Sequence, residues 1–250
     1  MEMTTRRYLV TGGAGVNLRT CPSSSYPTAT PVQNVPKGEK LDVITDWTAV
    51  NTVGSETTYL PVLMDGKVYY CTKALVQPYD AGAYVLETAQ SMGNDMVKNG
   101  YHYRTNGETM AATFAASKTS GKKGCTCTRY VSWVLQQAGH LKSGKLIGHD
   151  LSGKEYLVDC MVIPSGKKCT DLVKNKIIQP GDVLVSALKT AGGNMCCIFA
   201  SYDGPTWYEA GGPFHGLNCA KSSNDYIKIG PMKVGYNATH PKVEYIIRPL

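Results

Sequence analysis

One stretch near the middle of the chain has apolar residues at the spacing of a helix that buries a single face. The apolar positions recur at i, i+3, i+4, i+7, i+8 and i+11, which is the period of an amphipathic helix. They are Cys127, Tyr130, Val131, Val134, Leu135 and Ala138. Thr126 stands before this stripe as a capping residue, and Gly139 follows it as a terminator. The pattern therefore predicts a helix that begins at Cys127.

A similar pattern predicts an earlier helix, from about residue 83 to residue 98. Asp80 can cap its start, and the pair Asn99-Gly100 can end it. Its apolar face carries Val85, Ala89, Met92 and Met96. We expect these four side chains to pack in a core.

Before these helices, residues 7 to about 79 form short apolar runs separated by turn residues, as β-strands do. The Asp65-Gly66 pair lies between two such runs and is the strongest hairpin signal in the chain. Five or six short strands over this length predict a small β-barrel, with strands at 16–19, 40–44, 59–63 and 67–70. Proline and glycine mark a linker over 77–82, so we expect domains at 1–79 and 80–250.

After the central helix, the pattern changes from helical to extended. Short apolar runs at 183–185, 195–201, 207–212, 226–229 and 243–248 predict an antiparallel sheet. Residues 140–178 give little signal beyond a basic, loop-rich insertion with a possible helix at 169–176. Helices followed by strands are typical of the α+β class, which we expect for this domain.

Composition narrows the choice of partner without deciding it. Lysine and arginine number 26 against 19 aspartates and glutamates, and the net charge of +7 suits nucleic acid, a membrane surface or an acidic wall polymer. The lysines are scattered rather than clustered with aromatic residues, which argues against a nucleic-acid surface. No apolar run reaches the length of a membrane span, and the first residues lack the apolar core of a secretory signal. Nothing in the pattern predicts an oligomeric state.

The nine cysteines indicate thiols rather than a disulfide framework, because their number is odd and the chain is long. The spacings in Cys125-x-Cys127 and Cys196-Cys197 are poor for zinc, so we expect no metal and no other cofactor. Cys127 falls in the first turn of a predicted helix, where unpaired N–H groups and the helix dipole favour a thiolate. Its position alone leaves two interpretations open, a nucleophile and a buried core thiol.

The run from Cys127 to Leu135, followed by Gln-Gln-Ala-Gly, resembles the nucleophile helix of the NlpC-type cell-wall peptidases. That helix opens with Asp-Cys-Ser-Gly-Phe-Val, and Thr126 stands where the family has aspartate. The first seventy or so residues resemble a bacterial SH3-like domain, a kind that commonly binds cell walls. The resemblance implies an SH3-like barrel over 1–79 and a papain-like (NlpC-type) domain over 80–250. It further implies a hydrolase of peptide or amide bonds in bacterial peptidoglycan, of phage-lysin or bacterial origin.

The same resemblance implies roles for two further residues. The family has a tyrosine between the two helices whose hydroxyl helps to hold the substrate carbonyl. Tyr103 is the best match to it, and Tyr101 is the alternative. The third, polar position of the family's catalytic group falls at Glu209.

The catalytic base is the part of the pattern that this chain lacks. In the family a histidine opens the strand after Gly-Asp-Val, and here Met195 occupies that position. Either His215 or His102 can serve instead, or the alignment is shifted by one residue to Asn194, which also cannot act as the base. A further alternative is that hydrolysis has been lost and only wall binding remains. Of the other histidines, we expect His140 and His149 to face solvent.

Overall fold

The computed structural model describes residues 3–23, 31–45, 58–103, 107–148, 150–186, 195–202, 206–208, 232–233 and 242–250. The chain divides into two compact units, Met1–Tyr79 and Asp80–Leu250. The division falls inside the stretch where proline and glycine indicate a linker. Among the described helices, none has the length and apolar character needed to cross a membrane.

The first unit is built from seven antiparallel strands. They are β1 (Thr5–Val10), β2 (Val16–Arg19), β3 (Pro31–Val35), β4 (Lys40–Ile44), β5 (Tyr59–Met64), β6 (Lys67–Thr72) and β7 (Val76–Pro78). Their order in the sheet is β3-β2-β6-β5-β4-β1-β7, so β3 and β7 form the two edges. Pro78 ends β7, at an edge where its missing N–H costs no ladder hydrogen bond. Within the described ranges the sheet is open and no closed barrel is found, so the SH3-like barrel stays a prediction.

The hairpin signal at Asp65-Gly66 is confirmed. Met64 pairs with Lys67, which leaves a two-residue loop. Asp65 and Gly66 have φ angles of 50° and 72°, the left-handed conformation at both positions that a type I′ turn requires. The predicted linker at 77–82 is wrong in detail, because Gln77 and Pro78 pair with β1.

The second unit combines helices with one antiparallel sheet, as the α+β expectation requires. Its helices are α1 (Ala81–Lys98), α2 (Phe114–Ser120), α3 (Cys127–Gln137) and α4 (Cys169–Lys174). A short parallel pair consists of β8 (His102–Tyr103) and β9 (Gly124–Cys125). The large sheet contains β10 (Cys160–Lys168), β11 (Val183–Ser186), β12 (Met195–Ser201), β13 (Thr206–Tyr208), β14 (Met232–Lys233) and β15 (Lys242–Pro249). Its order is β10-β15-β11-β12-β13-β14.

Both predicted helices are present with their predicted caps. The Asp80 side chain accepts a hydrogen bond from the Ala83 N–H at 3.0 Å, and the helix begins at Ala81, two residues earlier than predicted. At the end of α3, Gly139 has φ 80° and donates to the Gln136 carbonyl, while His140 donates to the Leu135 carbonyl. These two bonds are those of a Schellman motif. Every residue of the predicted apolar stripes is buried.

The large sheet carries a core on each face. Helices α1 and α3 pack on one face, against a set of strand residues that share that side: Val183, Val185, Cys196, Ile198 and Ile247. On the other face, Leu172 of α4 and Ile178 pack against Leu184, Cys197, Phe199, Val243 and Ile246. The middle of the sheet is therefore an inner layer, which is why residues 183–185 of β11 and residues 196–199 of β12 are apolar without interruption.

Some elements differ from the sequence predictions. Residues 140–178 contain the nine-residue strand β10, which pairs along β15 and which the pattern does not reveal. The prediction that His140 faces solvent is wrong, because the Schellman turn folds the imidazole inward, where Nδ1 lies 3.2 Å from the Val158 carbonyl oxygen. His149, residues 209–212 and residues 226–229 lie outside the described residues.

A buried ion pair joins the turn before β11 to β15. Asp182 is 1% exposed, and its two carboxylate oxygens accept hydrogen bonds from Arg248 at 3.0 and 2.7 Å. Arg248 also donates to the Ile177 carbonyl at 2.8 Å. The Asp182 hydrogen bond raises the pKa of Arg248, so this guanidinium stays charged.

We expect Asp182→Asn to lower the free energy of unfolding by about 3 kcal/mol, because it leaves the half-buried Arg248 without its counter-charge. Urea denaturation measures this change. The control is Glu155→Gln, which changes an exposed carboxylate in the same unit and should alter the stability by less than about 0.5 kcal/mol. Equal effects from both variants would contradict the assigned role of the pair.

Burial raises the pKa of the Cys71 thiol from 9.0 to about 12. The folded state therefore keeps its proton where the unfolded thiol loses it, so this residue's contribution to stability declines as the pH rises above 9.0 toward about 12. We expect the stability of the wild type to fall more steeply across that window than the stability of Cys71→Ala. Parallel unfolding curves for the two proteins would contradict this assignment.

Candidate active site

Cys127 is the first residue of α3, where the chain changes from extended backbone to helix. Thr126 has the extended angles φ −121° and ψ 168°, and its Oγ1 accepts a hydrogen bond from the Arg129 N–H at 3.3 Å. The remaining N–H groups of the first turn point toward the start of the helix. Cys127 is 5% exposed, so it lies at the edge of the core rather than on an open surface.

The parallel pair β8–β9 sets which side chains lie beside this position. His102 pairs with Gly124 and Tyr103 pairs with Cys125, and the His102 N–H donates to the Lys123 carbonyl at 3.2 Å. Paired residues of a parallel ladder point to the same face, and successive residues alternate. Tyr103 therefore shares a face with Cys125. Because Thr126 is extended, the alternation continues and Cys127 falls on the face of Tyr103.

Tyr101, the alternative tyrosine, packs in the core. Tyr101 is 8% exposed, and its hydroxyl lies 2.6 Å from Ser117 Oγ. Its ring packs against Phe114 and Trp133, at centroid distances of 5.6 and 6.3 Å. This arrangement favours Tyr103, which is half-buried, as the tyrosine beside Cys127.

His102 lies on the other face of the strand pair. Its Nε2 is 3.0 and 3.1 Å from the two carboxylate oxygens of Glu108. A Cβ built on Gly124 would lie 2.3 Å from the Glu108 Cδ, so the carboxylate packs directly on the Gly124 backbone. The register therefore groups His102 with Glu108 and Gly124 and away from the Cys127 face.

The pKa of Cys125 depends on the charges near the face of the strand pair that it shares with Tyr103. Burial raises the pKa of the Cys125 thiol well above its usual range, and negative charge on Cys127 raises it further. The guanidinium of Arg129 lowers the same pKa, so a cation acts close to Cys125. Sequence reasoning overlooked Arg129, although a signal was available. A basic residue in the first turn opposes the helix dipole, which suggests that a nearby negative charge compensates.

The other predicted site residues lie at the start of β12 or outside the described residues. Met195 begins β12, which packs against α3. In that strand Cys196 and Ile198 face the helices, and the preceding position of the same parity is 194, outside the described residues. Glu209 and His215 also lie outside them.

Only two of the histidines fall within the described ranges. His102 faces Glu108, and His140 follows the C-terminal end of α3, whose 11 residues span about 16 Å from Cys127. Neither is brought to the Cys127 face. No disulfide joins the cysteines whose side chains the structure describes, and no group of three or more metal-binding side chains occurs in the described part of the chain.

No protein-family model matches the chain, and no curated protein matches it. Similar solved structures include NlpC2 and NlpC1 from Trichomonas vaginalis, both 13% identical, with TM-scores of 0.32 and 0.33. Each match covers 99% of this chain, with 73% of the NlpC2 chain and 70% of the NlpC1 chain. Helices packed on an antiparallel sheet are consistent with an NlpC-like fold.

We expect Thr126→Ala to destabilise the second unit by about 1 kcal/mol, because it removes the side-chain acceptor at the start of α3. Thr126→Asp should keep most of the stability, since a carboxylate also caps a helix. Thermal unfolding measures both changes. The control is Thr119→Ala, at an exposed position near the end of α2. A Thr126→Ala protein as stable as the wild type would show that the cap contributes nothing.

Proposed function

We propose that the chain is a peptidoglycan hydrolase that cleaves peptide or amide bonds of the bacterial wall with Cys127 as its nucleophile. The observation that carries this proposal is the position of Cys127. It is the first residue of a capped helix that packs on an antiparallel sheet, on the same face of the preceding strand pair as Tyr103. A thiol, helix N–H groups and a tyrosine hydroxyl are the groups that acyl transfer by a cysteine uses, which supports the proposal.

In this mechanism the Cys127 thiolate attacks the carbonyl carbon of the scissile amide. The N–H groups of the first turn of α3 and the Tyr103 hydroxyl stabilise the oxyanion. The amine leaves with a proton from the base, and a thioester remains on Cys127. Water then attacks the thioester, releases the carboxylate product and restores the thiol.

We assign the orientation of the base to Glu209, on the resemblance described above. We assign the base itself to His215, which follows Glu209 by six residues and would replace the histidine that the family has at the position of Met195. The cation of Arg129 supports the proposal independently of these two residues. The Arg129 guanidinium acts on Cys125, two residues before Cys127, and a cation at this point of the chain would favour the thiolate that attack requires.

The first unit is proposed to bind the wall as an SH3-like targeting module, so the protein would act at the bacterial cell wall. The net charge of +7 is favourable for approach to anionic wall polymers. Release by a phage-type lysis route is one way in which such a protein reaches its substrate.

A second function, wall binding without hydrolysis, is favoured by two observations. Cys127 is only 5% exposed, and both histidines in the described ranges face away from it. A protein of this kind would keep the fold and use the region around α3 for recognition alone.

The test compares release of new amines from purified peptidoglycan by the wild type, Cys127→Ala and Cys197→Ala. Cys197 is the matched control, because it is a buried cysteine on the other face of the sheet. We expect the wild type and Cys197→Ala to release amines and Cys127→Ala to lose at least about a hundredfold in rate.

A sedimentation assay with the same peptidoglycan separates the two functions. Binding by the wild type without amine release would support the silent wall-binding protein and overturn the hydrolase. Neither binding nor release would overturn both.

A further inference from the structure

We propose that Glu108 is a positioning residue for Cys127, acting from behind the strand that leads into α3. This inference rests on the proposed function, since the placement of Cys127 matters only where its thiol reacts. Glu108 reaches the strand pair in two ways, through a hydrogen bond to β8 and through direct packing on β9.

The hydrogen bond joins the His102 imidazole to the Glu108 carboxylate. An ionised carboxylate only accepts hydrogen bonds, so His102 Nε2 carries the proton that it shares between the two oxygens at 3.0 and 3.1 Å. The Glu108 side chain is 22% exposed and that of His102 is 40% exposed. Partial burial removes competing water and strengthens such a bond.

The packing contact depends on a glycine. A Cβ at Gly124 would lie 2.3 Å from both Cδ and Oε1 of Glu108 and 2.5 Å from Oε2. No side chain fits there unless the carboxylate moves. Gly124 therefore admits the Glu108 carboxylate against the backbone of β9.

The contact of Glu108 with β9 can affect Cys127 because only a short segment of chain separates the two. β9 consists of Gly124 and Cys125, Thr126 follows in the extended conformation, and α3 begins at the next residue. Any shift of β9 displaces the Thr126 cap and with it the N–H groups that surround Cys127. Because Glu108 lies on the opposite face from Tyr103, it can hold this segment without touching a substrate.

A positioning role of Glu108 and an electrostatic role predict opposite effects of its substitution on the ionisation of Cys127, so an experiment can separate them. A nearby carboxylate disfavours a thiolate, so an effect of charge alone predicts that neutralising Glu108 helps Cys127 to ionise. A positioning effect predicts that the size and reach of the side chain matter and its charge does not. Glu108→Asp keeps the charge and shortens the reach, whereas Glu108→Gln keeps the reach and the hydrogen bond without the charge.

The experiment measures the alkylation of Cys127 by iodoacetamide in the full chain, from about pH 5 to about pH 10, with the modified peptide followed by mass spectrometry. We expect Glu108→Asp to raise the midpoint of the rate–pH curve by about one pH unit, and Glu108→Gln to leave it within about 0.2. On a soluble peptidoglycan fragment, Glu108→Asp should lower kcat about tenfold with KM unchanged. The control is Glu87→Asp, at an exposed position on α1, which should change neither quantity.

A midpoint moved by Glu108→Gln and not by Glu108→Asp would overturn the proposal in favour of a charge effect. Equal midpoints for all three proteins would also overturn it. A wild type that fails to cleave peptidoglycan but shows the expected alkylation pattern would overturn the proposed function and leave the positioning role standing.

Discussion

The change from extended strand to helix at Thr126 is the constraint on which the rest of the second unit depends. The Thr126 side chain satisfies one N–H of the first turn, and the apolar stripe of α3 holds the helix against the sheet. Those two conditions fix Cys127 at the end of a helix dipole and at the edge of a core. Cys127 is also buried, with 5% of its surface exposed, so the proposed chemistry uses the N–H groups of the helix start under the limit that burial sets on access.

The short pair β8–β9 divides the surroundings of that thiol into two faces. One face carries Tyr103, Cys125 and Cys127, with the cation of Arg129 nearby. The other carries His102 and Glu108 against Gly124. His102 pairs with the strand that leads into Cys127, but its side chain is turned away from that residue because side chains alternate along β8.

Stability of the second unit comes from the sheet that supports α3. Apolar side chains pack on both of its faces, and the Asp182–Arg248 pair joins the turn before β11 to the end of the adjacent strand β15. Gly82 of α1 approaches the same turn so closely that a Cβ there would lie 2.2 Å from the Pro180 carbonyl oxygen. The helices and the sheet are thus fixed to each other at the backbone as well as through side chains.

The sequence by itself determined the local elements of this protein. The spacing of apolar residues and the caps at Asp80 and Thr126 predicted α1 and α3, and Asp65-Gly66 predicted its hairpin, because each of these signals acts within a few residues. Tertiary structure alone decided what depends on distant contacts. The pairing of β10 with β15, the burial of His140 and the contact of Glu108 with Gly124 join residues whose separation in the chain leaves no periodic trace. The face that each residue of β8 presents was decided in the same way, since register between strands is set by long-range packing rather than by local preference.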